Sequence, residues 1–152
     1  MFASGKKASG AFASRFACYQ NQAQSLVKDV WTKLVWRTKW YDGLDELDIT
    51  TNQRFTALAT GYYSFTASLA VTAVADNTSI GIRFSVNGQS ENKGGSTNTS
   101  FCTHVENWTY VQTSIDVYLE AGEYVEVEGL QGDTVTRSYA DRIMNWCGRR
   151  VA

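Results

Sequence analysis

Proline is absent from this 152-residue sequence, although average usage near 5% would give about seven or eight. Without proline the chain can form no collagen-like stalk, no polyproline ligand and no proline-stiffened linker. Histidine occurs once, at His104, and Cys18, Cys102 and Cys147 are widely spaced with no CxxC pair. These counts argue against a structural zinc site, which needs four closely organised ligands. We therefore assign no residue as a metal ligand.

Targeting and membrane signals are also missing from the sequence. No run approaches the roughly 20 apolar residues of a membrane span, so we predict no membrane insertion. The basic pair Lys6 and Lys7 is not followed by the apolar segment of a secretory signal. Either the protein is made and assembled inside a cell, or the chain has been trimmed.

The apolar content is enough for one compact domain. Hydrophobic residues make up 43% of the chain and aromatic residues 13%, which argues against disorder. A chain of this length can bury about two thirds of its unfolded surface, so its core needs neither disulfides nor metal.

Charge is nearly balanced overall but unevenly distributed. The net charge is −1, and we predict no nucleic-acid partner. The first 40 residues carry seven basic side chains against Asp29 alone, a net charge of +6; the remainder carries seven against fourteen acidic ones, a net charge of −7. This asymmetry fits either a basic arm that meets an acidic partner or the solvated faces of different strands.

Alternation of apolar and polar residues with period two dominates the sequence and predicts an all-β protein. Asn87-Gly88 and Ala121-Gly122 are turn signals between alternating runs. The predicted strands are 12–20, 32–40, 53–59, 62–73, 80–86, 111–119, 124–128 and 143–151. Residues 24–31 could form one helical turn, and 89–107 are the longest irregular stretch. Two packed antiparallel sheets or a jelly roll follow from this pattern.

Five short motifs in register resemble those of complement C1q-like domains and cover about 140 of the 152 residues. Three of them match only in part: A-F-A-S-R at 11–15 is similar to the family's opening A-F-S-A-R, N-Q-R-F-T with G-Y-Y-S-F within 52–65 is similar to G-x-F-T with G-x-Y-x-F, and W-C-G at 146–148 stands where the family ends with F-x-G. The other two are V-N-G at 86–88 and L-E-A-G-E-Y-V at 119–125, which is similar to L-x-x-G-D-x-V with Glu123 in place of Asp. The motif residues expected in the core or at contacts between copies are Phe12, Phe55, Gly61, Tyr63, Phe65, Asn87, Gly88, Leu119, Gly122, Val125, Trp146 and Gly148.

The resemblance implies a C1q/TNF-like jelly-roll sandwich that assembles as a tight homotrimer. It also implies that the first and last strands lie side by side, which makes Cys18 and Cys147 neighbours, either bonded or, as expected in a reducing compartment, two buried thiols. We divide the chain into a flexible basic N-terminal arm, 1–11, and a C1q-like domain, 12–152. The collagen stalk and signal peptide usual in animal plasma members are not seen.

Calcium is a possible ligand that no matched motif supports. Calcium sites in the family use acidic loop residues, and Asp42, Asp45, Glu46 and Asp48 are candidates by composition alone. We therefore predict no cofactor.

Catalysis has no supporting motif. G-x-S-x-G, G-x-G-x-x-G and P-loop patterns are missing, and there is one histidine. Glu126 and Glu128 lie two apart on one strand face, a spacing that glycoside hydrolysis would accept. We favour the simpler interpretation, a solvated strand edge that discourages aggregation.

Two parts of the sequence contain candidate binding residues. In 33–40, Lys33, Arg37 and Lys39 could form a basic stripe that binds an anionic polymer. Trp36 and Trp40 share the opposite face, where exposed rings could stack on sugars or bases; we favour the core for them, with the contact between copies as the alternative. Near the long polar loop, the aromatic residues are better candidates for glycan or receptor binding, with ordinary loop anchoring as the alternative. These candidates are His104, Trp108 and Tyr110, together with Asn98.

The function that fits best is a non-enzymatic trimeric protein of a phage or virus-like particle: a capsid fibre, decoration or receptor-binding head. It would sit on the particle surface, dock on a capsid or fibre protein through Lys6 and Lys7, and contact a host surface glycan or protein by multivalency. The alternative is a secreted C1q-like ligand or lectin supplied without its leader and stalk.

Overall fold

The computed structural model describes residues 13–72, 74–75, 77–90, 93, 97–101, 109–134, 137–138 and 143–152. The predicted basic arm with Lys6 and Lys7 lies outside this part of the chain, as do Phe12, His104 and Trp108.

Thirteen strands and no α-helix occur in the described residues. The strands are β1 (Arg15–Tyr19), β2 (Ser25–Leu26), β3 (Thr32–Lys33), β4 (Thr38–Asp42), β5 (Leu47–Asp48), β6 (Arg54–Thr56), β7 (Gly61–Val71), β8 (Ser79–Val86), β9 (Thr97–Phe101), β10 (Thr109–Leu119), β11 (Tyr124–Gln131), β12 (Arg137–Ser138) and β13 (Asn145–Arg150). No described helix is long and apolar enough to cross a bilayer.

Two antiparallel sheets pack against each other and enclose the core. The five-stranded sheet has the order β10-β7-β13-β1-β4. The six-stranded sheet has the order β5-β6-β11-β8-β9, with β3 also paired to β11. A third, short pair joins β12 to β2. This arrangement confirms the predicted two-sheet jelly-roll sandwich.

Alternation explains which side of each sheet is buried. In β10 every second residue from Thr109 to Leu119 is buried, and the residues between them are exposed. The eleven residues of β10 pair without a break with β7, from Thr109 opposite Val71 to Leu119 opposite Gly61. A shift by one residue would exchange the two faces, so burial of one face fixes this register.

Aromatic rings fill the middle of the core. Phe16 stacks on Phe55 with ring centroids 5.2 Å apart and meets Trp146 edge-on at 4.9 Å. Phe65 lies 5.1 Å from Phe55, and all four rings are at most 1% exposed. Such pairs stabilise a core by about 0.5–1.5 kcal/mol each beyond the area they bury. The motif residues Tyr63, Leu119 and Val125 are buried as well.

The V-N-G motif forms a two-residue hairpin turn. Val86 and Gln89 exchange both backbone hydrogen bonds at 3.0 Å, and the φ angles of Asn87 and Gly88 are +52° and +77°. Positive φ at both central positions is the requirement that makes Asn-Gly the preferred pair for this turn.

The first and last strands are neighbours. β1 pairs with β13, and Cys18 lies opposite Trp146 while Cys147 lies opposite Ala17. The two thiols therefore point to opposite sides of the sheet, and both are free. Burial raises the pKa of each thiol, Cys18 far above its ordinary value; Cys147 is only partly buried.

Three sequence predictions were wrong in detail. The predicted strand 32–40 is divided, because Leu34 and Trp36 enter the core as the chain crosses from β3 in one sheet to β4 in the other. The predicted helical turn at 24–31 contains β2 instead. The stretch 89–107 is not wholly irregular, because β9 pairs there with β8.

Gly148 is required by the rings on either side of it. A Cβ at this position would meet Cε1 of Phe16 at 2.7 Å and the ring of Phe65 more closely still. We predict that Gly148→Ala lowers the free energy of unfolding by about 2–3 kcal/mol, the usual cost of overpacking a core. Chemical denaturation measures this loss.

The matched control is Gly132→Ala, where the nearest atom to a new Cβ is the Ser79 hydroxyl at 3.1 Å. It should change stability by no more than about 0.5 kcal/mol. Equal losses in the two variants would contradict the packing argument.

Candidate interaction surface

The exposed aromatic side chains share one surface, the side of the five-stranded sheet that faces away from the core. We call this surface the outer face. Among the side chains that the structure describes, every exposed aromatic lies on it. They are Trp40 (59% exposed), Tyr41 (51%), Tyr62 (53%), Tyr110 (48%) and Tyr118 (43%).

Strand alternation places the tyrosines of β7 and β10 there. Tyr118 lies directly opposite Tyr62, and their rings meet edge-on at 5.1 Å. Tyr110 lies at the other end of the same strand pair, opposite Ala70. The alternation that buries Val117 and Leu119 therefore exposes these rings.

A β-bulge places the other two aromatic residues. The pairing of β1 with β4 shifts by one residue between Ala17 and Cys18. A bulge sets two residues of one strand against one of its partner and re-aims their side chains. Tyr41 lies opposite Ala17, while Trp40 stacks on Tyr19 with centroids 4.7 Å apart. The predicted core position of Trp40 is therefore wrong, whereas that of Trp36 is confirmed at 1% exposure.

The middle of the outer face is a shallow cavity of about 400 Å³. Its lining includes the side chains of Arg15, Tyr41, Ser64, Thr66, Cys147 and Arg149. Arg15 lies directly opposite Arg149 on the neighbouring strand. The Arg15 guanidinium is 5.8 Å from the centroid of the Tyr41 ring. The cavity therefore has two cationic groups above a floor of small side chains.

One acidic residue of the outer face lies level with these arginines. Asp116 is opposite Ser64, Ser64 is opposite Arg149, and Arg149 is opposite Arg15. Asp116 is exposed on β10, which is the edge strand of the sheet. Within the described residues, neither Asp116 nor either arginine forms an ion pair.

Charges on the opposite side of the sandwich are paired. Glu126 accepts a hydrogen bond from Lys33, and Glu128 accepts one from Arg83, each at 2.5 Å. Arg83 also lies over the Trp31 ring at 4.2 Å. The predicted solvated strand edge is wrong, because β11 lies inside its sheet and Glu126 is only 8% exposed.

The basic stripe predicted over 33–40 is not formed. Lys33 bonds Glu126 on the six-stranded sheet, whereas Lys39 bonds Asp42 and Asp45 beside the five-stranded sheet. These two carboxylates raise the pKa of Lys39, although partial burial opposes the rise. The division of the predicted strand separates the members of the stripe.

The four acidic residues considered as calcium ligands form hydrogen bonds or ion pairs with other groups of the protein. Asp42 accepts hydrogen bonds from Lys39 and from the backbone N–H of Glu46 and Leu47. Glu46 is 4% exposed and accepts the Ser14 hydroxyl at 2.5 Å. Among the residues described here, no group of three or more acidic, histidine or cysteine side chains could hold a metal ion.

The glycan candidates fall in different places. Asn98 lies in β9, an edge strand of the six-stranded sheet, opposite Ile82. Tyr110 lies on the outer face of the other sheet. Since His104 and Trp108 are outside the described residues, their part in binding stays a prediction. Sequence reasoning missed the outer face, for which the signal was tyrosine on the polar side of two alternating runs.

Asp48 holds the turn between β5 and β6. Its carboxylate accepts backbone N–H bonds from Thr50, Thr51 and Asn52 at 2.8, 2.9 and 3.1 Å. The bonds from Thr51 and then Thr50 hold the pKa of Asp48 well below its ordinary value of 3.8. Because the folded-state pKa is lowered, the stabilisation is complete above the unfolded-state pKa and is lost as pH falls through the folded-state pKa.

We predict that Asp48→Ala lowers the free energy of unfolding by about 1 kcal/mol at neutral pH. The difference from the original protein should shrink as pH falls below about 4. Thermal unfolding across this pH range measures it, with the exposed Glu120→Ala as control. A difference that does not depend on pH would contradict the role of the carboxylate.

Comparison with known proteins identifies the fold. No protein-family model matches the chain, and no curated protein matches its sequence. Among solved structures, the globular domain of a zebrafish complement 1qA protein matches with a TM-score of 0.67 and 16% identity, over 92% of this chain and 98% of that one.

Two tumour-necrosis-factor-type structures match as well. The Eiger TNF of S. frugiperda has a TM-score of 0.62 and 14% identity, over 92% of this chain and 93% of that one. Murine APRIL has a TM-score of 0.64 and 12% identity, over 91% and 99%. The protein therefore has the C1q/TNF-like jelly-roll fold, which confirms the resemblance seen in the sequence motifs.

Proposed function

We propose that this chain is a non-enzymatic binding module that acts as a homotrimer, with the outer face of the five-stranded sheet as the contact between copies. The observation that carries the proposal is the concentration of all described exposed aromatic side chains on that face. The C1q/TNF-like fold supports it, because the resemblance to C1q-like domains implies a homotrimer.

The composition of the outer face suits a protein interface better than a solvated surface. Single exposed apolar residues are ordinary, but five large exposed aromatic side chains on one face of one sheet indicate a contact site. Tyrosine and tryptophan are enriched in interfaces, since a large rigid ring gains contact area at a small cost in conformational entropy. The six-stranded sheet differs, because its charged side chains Lys33, Arg83, Glu126 and Glu128 are paired with one another.

The asymmetry of the outer face allows the copies to form a closed ring. β10 forms one side of the sheet, and β1 with β4 forms the other, so the two sides carry different residues. A contact between unlike surfaces generates a ring when the rotation closes. A trimer is the ring that the fold resemblance favours.

A trimer would hold three weak binding sites on one rigid body, so that the sites together bind a partner more tightly than one site alone. Linking several binding sites raises avidity by about 10²–10⁴ without any new contact. The partner that we propose is a surface glycan or protein, contacted by the segment of the chain that contains His104 and Trp108. The particle-borne role, in a phage or virus-like particle, remains our preferred setting over a secreted ligand.

A charge placed among the aromatic residues should separate the copies. We predict that the original protein is a trimer and that Tyr118→Glu is a folded monomer. The nearby Lys93, 5.9 Å from the centroid of the Tyr118 ring, is already paired with Glu123, so the new carboxylate would be buried in the contact with no unpaired cation to compensate it. Sedimentation velocity measures the mass, and far-ultraviolet circular dichroism measures the fold. Val30→Glu is the matched control, since Val30 is 49% exposed and lies between β2 and β3, beside β11 of the other sheet.

The control variant should remain trimeric. A monomeric original protein, or an unchanged trimer in Tyr118→Glu, would contradict the proposed interface.

Docking on a particle is tested separately. Lys6 and Lys7 are the only charged residues before Arg15. We predict that deletion of residues 2–10 abolishes co-sedimentation with the particle but leaves the trimer intact, because the outer face is unchanged. Substitution of both lysines by glutamine in the full chain tests whether docking depends on the charge of the arm or on its length. Retention of the truncated protein on particles would contradict the docking role.

A further inference from the structure

Resting on the proposed homotrimer, we propose that Asp116 of one copy occupies the cavity between Arg15 and Arg149 of the next, and that this ion pair fixes how the copies meet. The proposal assigns a partner to each of the three charged groups that the outer face leaves without an ion pair in the described part of one chain.

The two arginines need an anion. Arg15 and Arg149 are directly opposite each other on paired strands, and like charges in that relation destabilise a sheet. The Tyr41 ring offers the Arg15 guanidinium a weak cation–π contact at 5.8 Å. A carboxylate can accept hydrogen bonds from two guanidinium groups at once, which removes the repulsion.

The space around the arginines fits a short acidic side chain. The cavity holds about 400 Å³, and its floor includes Ser64, Thr66 and Cys147. Hydroxyl groups there can donate to any carboxylate oxygen that the arginines leave free.

The register of the sheet brings the groups to the same height. Asp116, Ser64, Arg149 and Arg15 form one row across four strands. Rotation about an axis parallel to the strands moves each residue sideways but does not change its height. A neighbouring copy related by such an axis therefore presents its Asp116 level with this cavity.

Asp116 is also on the strand best placed to reach a neighbour. β10 is an edge strand of the five-stranded sheet, whereas β13 and β1 lie within it. In one copy, β7 separates Asp116 from Arg149, which sets their backbones about 10 Å apart, two strand spacings. The structure shows no ion pair across this gap.

Exchanging the charges tests the pair. We compare the original protein with Asp116→Arg, Arg149→Asp and the double variant that carries both. Each single reversal should weaken trimer association by about tenfold or more, because it places like charges in contact. The double variant should recover most of the loss, since the two exchanged side chains then meet with opposite charges across the contact.

The readout is the trimer–monomer equilibrium, measured by sedimentation equilibrium with circular dichroism to confirm folding. Asp29→Arg is the matched control, because it makes the same change in net charge at an exposed position between β2 and β3, beside β11 of the other sheet, and should leave association unchanged. Loss in both single variants without recovery in the double variant would overturn the pair.

Salt dependence gives a second measurement that needs no charge reversal. Raising the ionic strength from about 0.1 M to about 1 M shortens the screening length from about 10 Å to about 3 Å. Association of the original protein should weaken, and the neutral double variant Asp116→Asn with Arg149→Gln should respond less. An equal response in both proteins would overturn the proposal.

The outcomes separate this inference from the proposed function. A trimer that forms normally in Asp116→Arg keeps the proposed function and overturns the ion pair alone. A monomeric original protein overturns both. If the cavity instead holds a small anion, added inorganic phosphate would stabilise the trimer and Asp116→Asn would not weaken it, which also overturns the ion pair.

Discussion

The pairing of β7 with β10 over eleven residues is the constraint on which the rest of the structure depends. Its register decides that Tyr63, Phe65 and Val117 face the core, while Tyr62 and Tyr118 face outward. A shift by one residue would bury the tyrosine hydroxyls and expose the aliphatic residues, so the alternatives are costly. The core and the outer face are therefore two consequences of one hydrogen-bonding pattern.

The remaining strands of that sheet extend the same two surfaces. β13 lies between β7 and β1, and Gly148 lets the rings of Phe16 and Phe65 pass close to its backbone. On the other side of the sheet, Cys147 and Ala17 are small residues opposite each other, and Cys147 forms part of the floor of the cavity. Neighbouring positions of β13 therefore contribute to the close packing of the core, at Gly148, and to the cavity of the outer face, at Cys147.

Long alternating runs could be predicted from the sequence because their period is a local property. This is why the strands that became β7, β8 and β10, and the Asn87-Gly88 turn, were recognised. The crossing between the sheets at Leu34 and Trp36 could not be predicted, because apolar and polar residues continue to alternate through it. β9 could not be predicted either, because Thr97–Phe101 is rich in polar residues and its strand structure comes from pairing with β8.

The candidate site was less predictable than the fold, for a physical reason. Asp116 and Arg149 are 33 residues apart in sequence, and only the pairing of four strands places them in one row with Arg15. The pairing of Glu126 with Lys33 likewise depends on β3 reaching β11, which composition does not reveal. Charge and aromatic content were visible in the sequence, but their arrangement needed the register.

Hydroxyl-radical footprinting of Tyr62 and Tyr118 can show whether the outer face is buried between copies. In one copy the two residues are 53% and 43% exposed. We predict that their oxidation falls sharply as the protein concentration rises through the assembly transition, while that of the exposed Leu58 does not change. Oxidation of both tyrosines at the rate of freely exposed rings at every concentration would contradict it.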